Sequence, residues 1–168
     1  PVAESYYLMT AMVDHLPRLA ESIARTRGEG TMMLSGKTLG AIDQAAITHR
    51  LEQSRYLQDR SVSQIAKAQE LNVDIKKSVT QLAAAASDTD RFFRLVDKEI
   101  VSASAPALAA TEFFKAGTAA VDAQYKLLDE ATNVLEGLLH ARIHDVEMAR
   151  NLLLALLGGL GVAALGLG

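Results

Sequence analysis

The last segment of the chain carries no charged side chain, although charged residues occur throughout the sequence up to Arg150. Residues 151–168 read NLLLALLGGLGVAALGLG, and Asn151 is their only polar residue. About 18 residues rise roughly 27 Å as an α-helix, which is close to the ~30 Å thickness of the hydrocarbon core of a bilayer. The segment therefore predicts a C-terminal transmembrane helix. The alternatives are a buried core helix and a fusion-like tail.

Composition narrows the fold of the remaining chain. The 17 basic and 20 acidic residues give a net charge of -3, whereas a dedicated nucleic-acid binder is usually basic. The absence of Cys excludes disulfides, thiolate metal sites and a cysteine nucleophile. An aromatic content of 5% without Trp is low for a β-sandwich, and abundant helix formers favour an all-α fold. We expect residues 1–150 to form a helical domain and residues 151–168 to form the span.

Apolar side chains recur at alternating intervals of three and four residues in four successive segments. We call each such row a heptad seam, because this spacing is typical of helices that pack against one another with a left-handed crossing. The seams run from Ser5 to Met33, from Ile42 to Gln69, from Ile75 to Ile100 and from Val121 to Val146. Four amphipathic helices joined by short turns predict an up-down-up-down four-helix bundle that continues into the C-terminal span.

Local signals predict where the first two helices change or end. Pro17 interrupts the first seam, so either the helix kinks there or Asp14 caps a second helix. The second helix is expected to run from about Ala41 to Leu71. Asn72 is its predicted end, and Asp74 is the predicted N-cap of the third helix.

The third helix is expected to be continuous from Ile75 to Ile100 and to stop before Pro106, which restricts the residue preceding it. Counting helix lengths places Ala107–Ala116 at the membrane-distal tip as a short helix or cap. Gly117 would end that piece, and Thr118 would cap the fourth helix.

Three stretches resemble a known family: ARTRGEGTMMLSG (24–36), TEFFKAGTAAVDAQYKLLDEA (111–131) and LLHARIHDVEMARNLLLALLGGLG (138–161). They are similar to the extracytoplasmic sensor regions of bacterial transmembrane receptors, namely methyl-accepting chemotaxis proteins and related sensor histidine kinases. The resemblance implies a dimeric bundle in the periplasm, held in the inner membrane between two spans. It also implies a cytoplasmic signalling module on the same chain, whose type these residues leave open.

Arg27 is the leading candidate for ligand contact. It lies just beside the Thr26 and Gly30 positions of the first seam. The segment also contains two glycines, Gly28 and Gly30, and each costs a helix about 1 kcal/mol relative to Ala. Close approach of another helix or a ligand against the backbone would offset that cost. An arginine there can hold a carboxylate, nitrate or similar anion through two parallel hydrogen bonds. The alternative is a structural ion pair with an acid such as Glu29 or Asp122.

Further candidates for the ligand site come from the same motif or from the same predicted height in the bundle. They are Arg25, Lys37, Phe113, Thr118 and Tyr125. The expected ligand is a small anion or an organic acid, and no cofactor is expected.

Catalytic and metal chemistry have weaker support. His140 and His144 lie one turn apart with Glu136 one turn earlier, a spacing that can bind Zn or Ni, but a solvated helix surface is the more common explanation. The sequence has no HExxH motif, no P-loop and no nucleophile–base pair, so an enzyme is the least favoured class. The sequence thus predicts a ligand-sensing receptor domain. A membrane-anchored bundle that binds a protein partner is the alternative.

Overall fold

The computed structural model describes residues 3–36, 39–105 and 107–166, with side chains described as far as residue 157. Its helices are α1 (Ala3–Thr10), α2 (Leu16–Gly36), α3 (Ala41–Leu71), α4 (Val73–Ser78), α5 (Leu82–Val96) and α6 (Ala110–Gly166). Two π-helical turns, Ala11–His15 and Asp97–Val101, complete the secondary structure. These residues contain no strand, and the predicted all-α class is confirmed.

The chain divides into two compact units, Pro1–Val134 and Leu135–Gly168. The first unit holds the buried core. In the second, the leucines at positions 152–154 and at 156 and 157 are each 58–64% exposed. Within the described part of the chain, no helix has the length and hydropathy needed to cross a membrane. The side chains of residues 158–168, which form most of the predicted span, lie outside the described residues.

The core of the first unit is built from helices α2, α3, α5 and α6. Phe92, Phe93 and Phe113 are its largest members. The rings of Phe92 and Phe113 have centroids 5.2 Å apart at an interplanar angle of 55°, a tilted geometry that aromatic pairs favour. Both rings are at most 1% exposed. Aliphatic side chains surround them: Leu19, Ile23, Leu34, Ile47, Leu51, Leu57, Val96, Ile100 and Val121.

Helices α1 and α2 are joined through a π-helical turn, and the chain does not leave the helical conformation between them. The amide of Leu16 donates to the carbonyl of Ala11, five residues back. Pro17 has no amide hydrogen and its ring crowds the preceding turn, and a wider turn at this point accommodates both effects. The prediction that Asp14 caps a new helix was wrong, because Asp14 lies inside the π-helical turn.

The predicted boundaries of α3 are confirmed at Ala41 and Leu71, but half of its predicted seam was wrong. Ile42 is 86% exposed and Tyr56 is 62% exposed. The buried face of this half instead contains small and polar residues among its aliphatic ones: Ile47, Leu51, Ser54, Leu57, Gln58 and Ser61. Ser54 and Gln58 are buried because other side chains satisfy them. The Oγ atoms of Ser54 and Ser22 are 2.7 Å apart, and the Gln58 amide bonds to α5.

The helix predicted from Ile75 to Ile100 is interrupted. Asn72 ends α3 as predicted, but Asn72 also caps α4, because its side chain accepts from the amide of Asp74 at 2.9 Å. The expectation that Asp74 is the cap was therefore wrong. Helix α4 ends at Ser78, and α5 begins only at Leu82.

Helix α6 begins at Ala110, earlier than predicted. Gly117 and Thr118 lie inside this helix, so neither ends or caps one, and Ala107–Ala116 does not form a separate cap. The hydroxyl of Thr118 donates to the carbonyl of Phe114 one turn back, at 2.9 Å. Gly117 instead has a packing role.

Candidate functional site

The junction of α2 and α6 depends on two glycines, one on each helix. A Cβ atom at Gly30 would lie 2.5 Å from Cε1 of Phe113, a distance that real Cβ atoms do not reach. The Phe113 ring therefore occupies the space that a side chain at position 30 would fill. The close approach of α6 to α2 therefore offsets the cost of a glycine at position 30, as its place in the first seam led us to expect.

The second glycine makes room for Arg27. A Cβ atom at Gly117 would lie 2.7 Å from Cγ of Arg27 and 3.0 Å from a ring carbon of Phe92. The aliphatic stem of Arg27 can therefore run across the backbone of α6. Gly28 differs, because a Cβ atom there would meet nothing within 4 Å. Tight packing thus explains Gly30 and Gly117, but it does not explain Gly28.

The guanidinium of Arg27 is fixed by two residues of α6. Its Nη1 atom donates to Oγ1 of Thr118 at 2.9 Å. Its central carbon lies 4.6 Å from the ring centroid of Phe114, a cation–π distance. The Nε atom is buried and has no hydrogen-bond partner among the described residues. Two contacts thus hold the group in place and leave part of its hydrogen-bonding capacity unused.

Among the residues that the structure describes, no carboxylate pairs with Arg27. Glu29, one of the acids expected to pair with it, instead pairs with Arg50 of α3. Asp122, the other named acid, is exposed and makes no ion pair with Arg27. The positive charge of Arg27 is therefore half-buried without a counter-charge. Such an arrangement favours an anion, because the interaction is stronger away from bulk water.

The remaining predicted residues are not all at this junction. Thr118 and Phe113 lie there, but the side chain of Phe113 is fully buried and serves packing. Tyr125 is 53% exposed. Arg25 points away from the junction and pairs with Glu21 at 2.6 Å. Lys37 lies outside the described residues.

Arg25 instead lines a groove between α2 and α3 with a volume of about 680 Å³. Its other charged members include Arg18 and Arg50. Each of these arginines has an acidic partner, since Arg18 pairs with Asp14 and Arg50 with Glu29. The groove is thus a concave surface, but its arginines are neutralised.

The sequence analysis did not include Phe114 among the candidate site residues, although its ring lies against the Arg27 guanidinium. No pattern within α6 marks this ring as the partner of an arginine on α2. The one signal nearby is the Gly117-Thr118 pair, whose residue types also predict a helix boundary.

In residues 3–36, 39–105 and 107–157, no three His, Asp or Glu side chains are grouped so that they could hold a metal ion.

Comparisons with protein-family models, with curated proteins and with solved structures give no significant match. The assignment of a function therefore depends on the chain's own residues.

Proposed function

We propose that this protein is the ligand-sensing domain of a bacterial transmembrane signalling receptor of the chemotaxis-receptor type. Its ligand is a small anion or an organic acid, and Arg27 is the central binding residue. The domain is an up-down-up-down four-helix bundle in the periplasm that continues into a span of the inner membrane. It acts as a homodimer and controls a cytoplasmic signalling module on the same chain.

The observation that carries this proposal is the unpaired guanidinium of Arg27. Burying a charged group without a counter-charge is costly, and an arginine kept for structure alone is normally paired with an acid. Arg27 is instead oriented by a hydroxyl and an aromatic ring, neither of which neutralises it. A bound carboxylate or nitrate would supply the missing negative charge.

The mechanism follows from the residues that hold Arg27. Thr118 and Phe114 both belong to α6, so an anion bound by Arg27 also acts on the contact between α2 and α6. Packed helices occupy discrete arrangements, and a ligand shifts their populations by its differential affinity for them. We infer that binding displaces α6 and that the displacement is the signal.

An exposed apolar stripe that runs from α1 through the first π-helical turn to the start of α2 supports the homodimer. Met9 and Val13 are 47% and 73% exposed, and Pro17, four residues further on, is exposed as well. We call these three residues the outer stripe. Exposed apolar rows of this kind mark interaction surfaces, and in a homodimer the same stripe of two copies would pack together.

The leucines of the C-terminal unit support membrane attachment. All five described leucines between positions 152 and 157 are more than half exposed. A helix that is apolar on every side is typical of a lipid or core environment. These residues begin the apolar run that we propose as the span.

Thermal unfolding of the full chain in detergent tests the ligand site. Nitrate, formate, acetate and succinate are compared at equal ionic strength with chloride. A ligand present at about 100 times its Kd stabilises a protein by about 2.7 kcal/mol. We expect one or more of these anions to raise the melting temperature of the wild type, and Arg27→Gln to abolish the increase.

Arg25→Gln is the matched control, because it removes an arginine from the same helix on another face. An increase that persists in Arg27→Gln, or one that disappears only in Arg25→Gln, would exclude Arg27 as the binding residue.

A membrane-anchored bundle that binds a protein partner is the second candidate function, and the outer stripe is the observation that favours it. Val13→Glu separates the two. In the receptor it would dissociate the dimer seen by light scattering, whereas in a partner-binding protein the wild type would already be monomeric and would not respond to any anion.

A further inference from the structure

The break between α4 and α5 contains no residue that would break a helix. Helix α4 ends at Ser78 and α5 begins at Leu82. The residues between them are Val, Thr and Gln, without Gly or Pro. Val79 nevertheless leaves the helical region, with φ -94° and ψ 86°. The cause of the break must therefore lie elsewhere in the protein.

Two distant side chains hold the break open. Oε2 of Glu130 on α6 accepts from the amides of Thr80 at 2.7 Å and Gln81 at 2.9 Å, and Oε1 accepts from the Thr80 hydroxyl at 2.9 Å. Nε2 of Gln69 on α3 donates to the carbonyl of Val79 at 2.8 Å. In an uninterrupted helix these three backbone groups would bond to residues four positions away. Glu130 and Gln69 thus replace three helical hydrogen bonds.

The hydrophobic pattern across the break fits an unbroken helix. Ile75 of α4 and Val79 at the break are buried, and so are Thr89, Phe93 and Val96 of α5. All five belong to the single heptad seam of this region. The start of α5 reads LAAAA, which is a run of strong helix formers. Local sequence therefore favours continuity, and only tertiary contacts oppose it.

We infer that Val73–Val96 is a two-state element. It is broken while Glu130 holds the amides of Thr80 and Gln81, and it becomes one continuous helix when α6 withdraws Glu130. Because the Glu130 carboxylate makes all three of the bonds to Thr80 and Gln81, a small displacement of α6 weakens them together. That such a displacement accompanies ligand binding rests on the proposed function. The two states themselves do not.

Glu130→Ala tests the element directly in the full chain. Amide hydrogen exchange and Cα chemical shifts are measured by NMR at residues 79–81, without any ligand. We expect the shifts to move to helical values. We also expect exchange at Thr80 and Gln81 to stay slow, because helical hydrogen bonds to the carbonyls of Lys76 and Lys77 take the place of those to Glu130.

Asp129→Ala is the matched control, because it removes the neighbouring exposed acid from the same helix and should leave residues 79–81 unchanged. Gln69→Leu provides a second test in a chain that keeps Glu130. It removes one of the two side chains that hold the break and should shift the same residues part of the way in the same direction, even if Glu130→Ala does not fold.

A simple capping role for Glu130 predicts the opposite result. Loss of a cap would speed exchange at Thr80 and Gln81 and move the shifts of residues 79–81 towards coil values. That outcome, or unchanged shifts in both variants, would overturn the two-state element. Neither measurement involves an anion, so such a failure would leave the proposed ligand site standing. Failure of the anion screen would likewise leave the two-state element standing.

Discussion

Gly117 of α6 lies against the aliphatic stem of Arg27 on α2. A Cβ atom at Gly117 would lie 2.8 Å from the Cβ atom of Arg27 and 2.7 Å from its Cγ atom. The stem crosses α6 at Gly117, where that helix has no side chain, and the guanidinium beyond it reaches Thr118. The candidate site therefore depends on a backbone contact as well as on its polar groups.

Gly117→Ala should displace that stem. The added methyl group overpacks the junction, and such changes cost about 1–3 kcal/mol. We expect a loss of unfolding free energy in this range, measured by urea denaturation, together with weaker anion stabilisation. Gly28→Ala is the control. A Cβ atom at Gly28 would meet no described atom within 4 Å, so this substitution should raise the free energy of unfolding by about 0.5–1 kcal/mol. Equal effects of the two substitutions would contradict this account of Gly117.

Phe114→Leu should weaken anion binding with little effect on the fold. The Phe114 ring is 45% exposed, and a cation–π contact at an exposed site contributes about 0.5–1 kcal/mol. Loss of that contact frees the guanidinium, and we expect the Kd for the stabilising anion to rise about two- to fivefold in titration calorimetry. Tyr125→Leu removes another exposed aromatic ring from α6 and should leave the Kd unchanged. A similar rise in both variants would argue against the cation–π contact.

Gln124 and Thr89 form a buried polar pair whose members depend on each other. Nε2 of Gln124 donates to Oγ1 of Thr89 at 2.8 Å, and Gln124 is 3% exposed. Thr89→Val leaves this amide short of an acceptor and should cost about 1–3 kcal/mol. The double variant with Gln124→Leu should recover most of that loss, because both polar groups are then gone. A urea-denaturation double-mutant cycle measures the coupling, and additive losses would contradict the prediction.

Asn72→Ala should destabilise α4 more than Asp74→Ala does. Asn72 supplies the capping oxygen, and loss of an N-cap costs about 0.5–2 kcal/mol. Asp74 makes only an exposed pair with Lys77, and such pairs contribute about 0–1 kcal/mol. Exchange of the amides of α4 reports the local loss. A larger effect at Asp74 would reverse the assignment of the cap.

Boundaries set by neighbouring residues could be predicted from the sequence. Helix α3 begins and ends where predicted, because Gly40 and Asn72 flank it and both adopt extended conformations. The buried positions of its first half could not be predicted from hydropathy. Ser54 and Gln58 are buried because partners on α2 and α5 satisfy their polar groups, and those partners are distant in the sequence.

The same reason explains the missed break at Val79–Gln81. Its determinant, Glu130, is 50 residues from Thr80, and no local signal accompanies it. The early start of α6 was missed for a related reason. A glycine is typical of a helix end, but Gly117 permits close packing inside the helix.

The candidate site could be predicted in part. Arg27 and Thr118 were both named, and the structure joins them by a hydrogen bond. Arg25 was grouped with Arg27 because the two are adjacent in the motif. Residues two positions apart on an α-helix point in nearly opposite directions, and Arg25 accordingly lies in the groove with α3.

The π-helical turn at Ala11–His15 has a consequence for the alignment of this chain with homologues. It fits one residue more into the turn than a regular α-helix would hold. A homologue lacking one residue in this stretch, and lacking the proline after it, could follow the same path with an ordinary helix. When diverged sequences are aligned with this chain, a gap of a single position between Thr10 and Leu16 would therefore mark the loss of this turn.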